Sequence, residues 1–147
     1  MALEPKQITS QIFQGGWILP RDIPELVRLG ITHILNLDFP YEDPLPFLEA
    51  NITLQNVYIR DFCLMTPQLV RDTIEVIDKS LSCPVHKIYI HCNEGVNRSS
   101  TITWLYLIHT GFSPEDAAVK VKPNPALYDA AIVQRLIANR RVIHSFK

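Results

Sequence analysis

The sequence of 147 residues has few cysteines and almost no net charge. Its three cysteines are an odd number, which argues against a framework of paired disulfides and favours a reducing compartment. A net charge of −1 provides no overall attraction to nucleic acid or to an anionic membrane surface. An anionic ligand must therefore be bound by a local pocket rather than attracted by the charge of the whole chain.

Targeting segments, membrane spans and domain linkers are also missing. Residues 1–10 lack the basic-then-apolar order of a signal peptide, and no run of about 18 apolar residues could span a bilayer. Ala2 stands where N-myristoylation requires glycine. No internal repeat or glycine-serine linker divides the chain, and an apolar content of 47% is enough for one core. We therefore expect a cytoplasmic monomer without membrane insertion, with residues 1–147 forming a single domain.

Alternating strand and helix patterns predict an α/β domain with a central, mostly parallel sheet flanked by helices. The helix after residue 98 is apolar nearly all round, which predicts that it is buried. The predicted strands cover 12–19 (a strand, a Gly-Gly turn and a second strand), 31–37, 53–59 and 87–91, and the predicted helices cover 22–30, 44–50, 66–81, 99–110, 113–121 and 126–138.

The most informative segment runs from Ile88 to Ser100 and has the pattern of a buried strand, a short loop and the start of an apolar helix. Cys92 opens the loop and Arg98 closes it, with five residues between them. The backbone N–H groups of such a loop, together with the helix dipole, can hold a phosphate-sized dianion. The same field favours the thiolate form of a cysteine, and an arginine adds a planar fork for two phosphate oxygens. The segment thus combines an anion cradle with an activated nucleophile.

The pattern His91-Cys92-(93–97)-Arg98-Ser99 resembles the signature loop of the protein tyrosine phosphatase superfamily. Its position beyond the middle of a short chain, with an aspartate 31 residues before the cysteine, resembles the small atypical dual-specificity phosphatases. The resemblance implies the fold of that family and a cysteine-dependent phosphatase. Main-chain amides and one arginine can stabilise the transferring phosphoryl group, so we expect no metal and no cofactor.

Cys92 is the expected nucleophile, because attack of its sulfur on phosphorus gives a cysteinyl-phosphate and splits hydrolysis into two easier steps. By resemblance, Ser99 hydrogen-bonds the thiolate, although a role as helix N-cap fits the same position. Also by resemblance, His91 braces the loop. The expected phosphate-binding residues are Asn93, Glu94, Gly95, Val96, Asn97 and Arg98, of which Gly95 allows a close backbone approach and the other loop residues act through their N–H groups.

Asp61 is the expected general acid. An alkoxide or phenolate leaving group needs a proton, and a carboxylic acid beside the pocket can deliver it. The assignment depends on the spacing between Asp61 and the cysteine and on its place in a loop after a strand. A surface carboxylate paired with Arg60 is the alternative interpretation. Asp38, at the end of another strand, is the best substitute, and Asp72 on a helix fits less well.

The loop sequence also bears on the substrate. Its five central residues include no lysine or arginine, and Glu94 adds a negative charge. Relatives that act on phosphoinositides usually carry basic residues there, so highly phosphorylated headgroups are disfavoured. By resemblance the substrate is a phosphorylated protein, with phosphotyrosine ahead of phosphoserine and phosphothreonine. A phosphoinositide or a phosphoglucan stays open as an alternative, and Tyr41, Glu42 and Asp43 either face the pocket or form a solvated connection.

Two other functional classes share parts of this pattern. Rhodaneses place a cysteine loop before a helix, and pseudophosphatases bind phosphate without turning it over. The arginine, the serine and the upstream aspartate favour phosphate chemistry over sulfur transfer, and the presence of both Cys92 and Arg98 argues against a pseudophosphatase. Cys63 follows Asp61 closely and is a candidate partner for a protecting disulfide with Cys92 under oxidation. Nothing in the sequence indicates a nucleic-acid partner.

Overall fold

The computed structural model describes residues 3–93 and 97–145, with side chains through residue 140. Strands and helices follow one another in the order β-β-α-β-α-β-α-β-α-α-α, which confirms the predicted α/β class. The strands are β1 (Lys6–Gln7), β2 (Ile12–Gly15), β3 (His33–Asn36), β4 (Thr53–Asn56) and β5 (Ile88–His91). The helices are α1 (Ile23–Arg28), α2 (Leu45–Glu49), α3 (Pro67–Ser80), α4 (Arg98–Thr110), α5 (Pro114–Lys120) and α6 (Ala130–Ser145).

The first two strands lie earlier in the chain than predicted. Only the first half of the segment 12–19 is a strand, and it pairs with β1 rather than with the residues after the Gly-Gly turn. Trp17 instead donates its backbone N–H to the carbonyl oxygen of Asn93 at 3.1 Å. This bond continues the parallel alignment of β2 and β5 by two residues, so the chain does not fold back after the two glycines, and the prediction of a second strand at 17–19 was wrong.

The sheet has the strand order β1-β2-β5-β3-β4. Strands β2, β5, β3 and β4 are mutually parallel, and β1 is an antiparallel edge strand. Four residues at the carboxyl ends lie in one row of the register, namely Gly15, His91, Asn36 and Asn56. Because the loops that leave such a row lie side by side, this edge is where a ligand site is expected in a parallel sheet.

Helices cover both faces of the sheet, and the alternation of side chains along β5 shows the two layers. Ile88, Ile90 and Cys92 belong to the core beneath α3 to α6, whereas Tyr89 belongs to the smaller core beneath α1 and α2. Successive side chains of a strand point to opposite faces. The side chains of His91 and Cys92 therefore lie on different sides of the sheet, although the two residues are adjacent.

Helix α4 is buried along its length, as its apolar composition predicts. All of its residues from Arg98 to Ile108 are buried, and it packs against α3, α5, α6 and β5. Its N-cap is Asn97, so the alternative role of Ser99 as an N-cap was wrong. Since α4 is enclosed on every side, its first turn is held firmly next to the end of β5.

Two other predicted helix starts are confirmed, and one is shifted. Thr66 caps α3 by accepting the N–H of Leu69 at 3.1 Å, and Ser113 caps α5 by accepting that of Asp116 at 3.0 Å. The last helix begins at residue 130 instead of 126, because Pro125–Leu127 forms a separate 3₁₀ turn. Within the described residues, no helix combines the length and apolar character that a membrane span requires.

Candidate active site

Four loops from the carboxyl edge of the sheet surround a cavity of about 480 Å³. The loops follow β2, β3, β4 and β5, and main-chain hydrogen bonds tie them together. The N–H of Leu37 donates to the carbonyl oxygen of His91 at 2.8 Å, and the N–H of Ile59 donates to that of Leu37 at 3.0 Å. The cavity is lined by Trp17, Asp38, Phe39, Tyr58, Asp61, Asn93 and Arg98. The cavity thus brings together three of the residues that the sequence predicts to be catalytic or phosphate-binding, namely Asp61, Asn93 and Arg98.

The middle of the signature loop, residues 94–96, lies outside the described residues, so the backbone cradle of Glu94, Gly95 and Val96 stays a prediction. The two residues that flank it are described. Asn93 lines the cavity. Asn97 caps α4, and its carbonyl oxygen accepts the backbone N–H and the hydroxyl of Thr101 at 3.1 and 2.8 Å. The loop therefore leaves the sheet at the cavity and returns at the first turn of α4.

Cys92 follows directly after β5 and is buried, with 2% of its surface exposed. Its sulfur lies 3.5 Å from the hydroxyl oxygen of Ser99, which is within hydrogen-bonding range for sulfur. Ser99 is itself fully buried in the first turn of α4. A hydroxyl in this position can donate a hydrogen bond to a thiolate, which agrees with the role that the family resemblance implies for Ser99.

Arg98 begins α4 and is 4% exposed. Its Nη1 donates to the carbonyl oxygens of Ile59 and Leu37 at 2.9 and 3.4 Å, and to Oδ1 of Asp38 at 3.1 Å. Its Nε is buried and has no hydrogen-bond acceptor among the described residues. A buried charged donor without an acceptor is costly, so the Nε edge of this guanidinium is suited to an anionic ligand in the cavity.

Asp61 lies beside that same edge. Its Oδ1 is 3.7 Å from Nε of Arg98, and about a third of its side chain (34%) is exposed to solvent. The same oxygen accepts the N–H of Phe62 at 3.0 Å. In the part of the chain that the structure describes, the ion pair of Asp61 is with Arg98 and not with Arg60, so the interpretation of Asp61 as a surface partner of Arg60 was wrong.

The two substitute acids lie in different surroundings. Asp38 lines the cavity and contacts Arg98, as described above. Asp72 lies on the exposed face of α3, where its Oδ1 accepts a hydrogen bond from Gln68 at 2.6 Å, and it is not part of the cavity wall. The sequence favours Asp61 over Asp38 by its spacing to the cysteine, and the structure places both beside the arginine.

His91 lies behind the signature loop in a ring of aromatic side chains. Its Nδ1 lies 3.0 Å from the carbonyl oxygen of Cys92, and its Nε2 lies 3.1 Å from the hydroxyl of Tyr41. Burial lowers the pKa of His91 to about 4, against the opposing effects of the Cys92 carbonyl and the Asp38 charge. Since a carbonyl oxygen only accepts, the neutral ring carries its proton on Nδ1 and accepts at Nε2. His91 therefore braces the loop through hydrogen bonds, in line with the resemblance.

Tyr41 supports His91 instead of facing the cavity, contrary to one of the two sequence interpretations. Its hydroxyl accepts the N–H of Ile18 at 3.1 Å, and its ring stacks on Trp17 with centroids 4.2 Å apart. Glu42 and Asp43 are exposed and do not line the cavity. Asp43 accepts the N–H of Leu45 at 3.0 Å and so organises the start of α2.

Sequence reasoning missed three aromatic residues of the cavity wall, namely Trp17, Phe39 and Tyr58. Phe39 and Tyr58 stack with centroids 4.9 Å apart and an interplanar angle of 19°. Both side chains are largely exposed, at 66% and 45%. No motif marks these residues, but each follows a parallel strand by a few positions. That placement is the signal by which they were recognisable.

Metal-binding clusters and disulfides are two further points of comparison with the sequence predictions. Among the described residues, no group of three histidine, cysteine or carboxylate side chains is arranged to hold a metal ion. None of Cys63, Cys83 and Cys92 forms a disulfide. A disulfide between Cys63 and Cys92 under oxidising conditions stays a prediction.

Comparison with known proteins gives a family for this fold and site. The family described as "Swiss Army Knife protein, DSP-PTPase phosphatase domain" matches residues 18–145. The chain is 30% identical over 116 residues to phosphatidylglycerophosphate phosphatase PTPMT1 of Arabidopsis thaliana, which covers 76% of this chain and 34% of that protein. It is 34% identical over 115 residues to dual specificity protein phosphatase 26 of Rattus norvegicus, and this alignment covers 76% of this chain and 54% of that protein.

The fold agrees with solved structures of phosphatases. A crystal structure of PTPMT1 superimposes with a TM-score of 0.77 at 16% sequence identity, covering 98% of this chain and all of that one (100%). The chain spans about a third to two thirds of the length of the curated relatives it matches (34% to 66% for the first four). From the family match over residues 18–145, the chain belongs to the dual-specificity phosphatases of the protein tyrosine phosphatase superfamily.

Proposed function

We propose that this protein hydrolyses phosphate monoesters through a cysteinyl-phosphate intermediate, with phosphotyrosine in a protein as its substrate. The observation that carries the proposal is the buried guanidinium of Arg98. Three acceptors hold its Nη1, while its Nε has no hydrogen-bond acceptor among the described residues and lies at a cavity that Asn93, the residue after the nucleophile, also lines. Nε and Nη2 form one straight edge of the guanidinium, which matches two oxygens of a phosphoryl group.

The first chemical step is attack of the Cys92 thiolate on phosphorus, with cleavage of the bond between phosphorus and the ester oxygen. Arg98 and the loop amides stabilise the equatorial oxygens, and Asp61 donates its proton to the departing oxygen. In the second step the Asp61 carboxylate takes a proton from water, and the water oxygen displaces sulfur from phosphorus. Ser99 donates its hydrogen bond to the thiolate as it leaves. The second step thereby restores the Cys92 thiolate and the proton on Asp61, and neither step uses a metal or a cofactor.

The wall of the cavity favours an aromatic leaving group. Trp17, Phe39 and Tyr58 line it, and stacked or edge-on contacts between aromatic rings are each worth about 0.5–1.5 kcal/mol beyond the buried area. Among the described residues that line the cavity, Arg98 is the one cation, alongside two aspartates. One cation matches one phosphate monoester, whereas the additional phosphates of a polyphosphorylated headgroup would meet carboxylates.

A lipid phosphomonoester is the second candidate, and a specific observation favours it. A relative with 30% identity is named a phosphatidylglycerophosphate phosphatase, and it aligns over 76% of this chain. The dual specificity protein phosphatase with 34% identity aligns over an equal share. The relatives therefore support either class of substrate, and the charge and aromatic lining of the cavity favour the phosphoprotein.

The experiment that tests the proposal is a substrate panel on a single preparation. It compares phosphotyrosine, phosphoserine and phosphothreonine peptides with phosphatidylglycerophosphate and phosphoinositide vesicles and with a phosphoglucan. We expect the highest kcat/KM for phosphotyrosine peptides. A higher value for either lipid overturns the substrate class but leaves the mechanism intact. Binding of inorganic phosphate without turnover of any substrate identifies a pseudophosphatase instead.

We further infer a monomer that functions in the cytoplasm. The proposed mechanism assigns every catalytic role to residues of one chain and uses none from a second copy. None of the three cysteines forms a disulfide, and a nucleophilic thiolate requires reducing surroundings. Light scattering coupled to gel filtration tests the oligomeric state, and fractionation of cells that express the protein tests its location. A dimer whose activity falls on dilution contradicts the first inference.

A further inference from the structure

We propose that Asp38 is a positioning residue for Arg98, holding Nη1 so that the edge formed by Nε and Nη2 is turned towards the bound phosphate. This inference rests on the proposed function, because it assigns the phosphate to that edge. It also assigns different tasks to the two carboxylates of the cavity. Asp61 acts on the leaving group, whereas Asp38 acts only through the arginine.

The hydrogen bonds of Arg98 carry the first step of the argument. Nη1 has two N–H hydrogens, and three acceptors surround it, at 2.9 Å (Ile59 carbonyl), 3.1 Å (Asp38 Oδ1) and 3.4 Å (Leu37 carbonyl). The donors of Nη1 are therefore occupied by the protein. Because the guanidinium is planar and rigid, fixing Nη1 also fixes the direction of its other donors. All three bonds have a charged donor, and only the bond to Asp38 has a charged acceptor as well.

The second step concerns how Asp38 itself is held. Its backbone N–H donates to Oδ1 of Asn36 at 2.9 Å. The amide nitrogen of the same Asn36 side chain donates to the carbonyl oxygen of Phe39 at 2.8 Å and to Oδ1 of Asn56 at 3.0 Å. Asn36 is fully buried at the end of β3. One asparagine side chain thus closes the turn 36–39 from inside, and the Asp38 carboxylate is presented from a fixed backbone.

The third step separates Asp38 from the general acid. Its side chain is 17% exposed and contacts Nη1, on the protein side of the guanidinium. Asp61 is twice as exposed at 34% and lies 3.7 Å from Nε, on the edge that has no acceptor among the described residues. A general acid must reach the leaving oxygen next to the phosphoryl group. The geometry allows this for Asp61, which lies beside Nε, whereas Asp38 lies at Nη1, away from the edge assigned to the phosphate.

The test compares Asp38→Ala, which removes the acceptor, with Asp38→Asn, which keeps an acceptor oxygen of the same reach. For Asp38→Ala we expect kcat/KM to fall on the order of tenfold to a hundredfold, the effect typical of residues that orient a ligand-binding group. Aryl phosphates with good and poor leaving groups should be slowed by the same factor. The inhibition constant of inorganic phosphate should rise in parallel. Asp38→Asn should recover most of both losses, and Glu49→Ala, which removes an exposed charge from the same connection between β3 and β4, should match the wild type.

Three results would overturn the proposal. One is unchanged phosphate inhibition in Asp38→Ala, and another is failure of Asp38→Asn to recover activity. The third is a loss confined to poor leaving groups, which would make Asp38 the acid. Asp38→Leu, similar in size but without an acceptor, replaces the alanine variant if that variant does not fold. Calorimetric binding of inorganic phosphate to the same variants in a Cys92→Ser background needs no turnover. It therefore tests the positioning role even if the proposed phosphatase activity is absent.

Discussion

The loops after β3 and β4 both bring an aspartate to Arg98, but they hold it in different ways. In the first loop, the buried side chain of Asn36 binds the backbone on both sides of Asp38. In the second, Asp61 is followed by Phe62, which is 80% exposed and has a left-handed backbone with φ of 60°. The comparison indicates that one carboxylate is built to stay in place, while the other is presented at the cavity mouth where protons can be exchanged.

The largest effect is expected from Cys92→Ser, which should lower turnover by roughly four orders of magnitude or more. The physical reason is that a serine hydroxyl in this field is not ionised, so neither carboxylate has a reaction to assist. Burst kinetics with p-nitrophenyl phosphate measure the loss, and calorimetry should show that inorganic phosphate still binds. Cys83→Ser is the control. Persistent turnover in Cys92→Ser would remove the basis for assigning roles to the two aspartates.

The next largest effect is expected from Asp61→Asn, which cannot donate a proton. For phenyl phosphate, a poor leaving group, kcat should fall by roughly a hundredfold to ten-thousandfold, whereas an activated aryl phosphate should lose far less. Steady-state rates across a series of leaving groups measure the difference, with Asp72→Asn as the control. Equal losses for all leaving groups would mean that Asp61 is not the acid. Together with the uniform loss expected for Asp38→Ala, this series separates the two loops directly.

The stability of the protein should also depend on His91 and the pH. Because burial holds the pKa of folded His91 near 4, below its ordinary value near 6.5, the unfolded chain binds more protons between these limits. Stability from this group is therefore complete above about pH 6.5 and is lost as the pH falls towards 4, by on the order of 3 kcal/mol. Urea unfolding at a series of pH values measures the slope, and His91→Gln should flatten it. An equally steep slope in that variant would contradict the assignment.

The pKa of His91 should also distinguish the two aspartates, because it responds to the charge of Asp38. The negative charge of Asp38 is one of the influences that raise the pKa of His91 against the larger effect of burial. NMR titration of His91 should therefore give a lower pKa in Asp38→Asn, whereas Asp61→Asn should leave it unchanged. A larger shift in the Asp61 variant would place the wrong carboxylate next to the histidine.

The smallest effect is expected from Asn36→Ala. Its side chain serves three partners in the turn 36–39 and in β4, so its removal leaves partly buried polar groups unsatisfied at a cost of about 1–3 kcal/mol. Urea unfolding measures this loss. Asn56→Ala removes one of the three contacts and should cost less. If the two variants are equally stable, the turn is held by something other than the asparagine, and the contrast between the two loops disappears.

Local sequence signals were sufficient to predict features that depend on residues close together in the chain. A cap such as Thr66 acts on an N–H three residues away, so the start of α3 was predictable, and the apolar composition of α4 indicated its burial. The Gly-Gly turn was misread for the opposite reason. After the two glycines the chain stays beside the loop that follows β5, where Trp17 bonds to Asn93, and a contact between residues so far apart in the chain leaves no mark in either local pattern.

The sequence by itself determined the fold class and the family, because strand and helix periodicity and the Cys-x5-Arg spacing are properties of neighbouring residues. Only the tertiary structure decided how the two aspartates differ. Their carboxylates come from separate loops, and each proposed role follows from which nitrogen of the Arg98 guanidinium the carboxylate contacts. The three aromatic residues of the cavity wall likewise come together only when β2, β3 and β4 align their carboxyl ends in one parallel sheet.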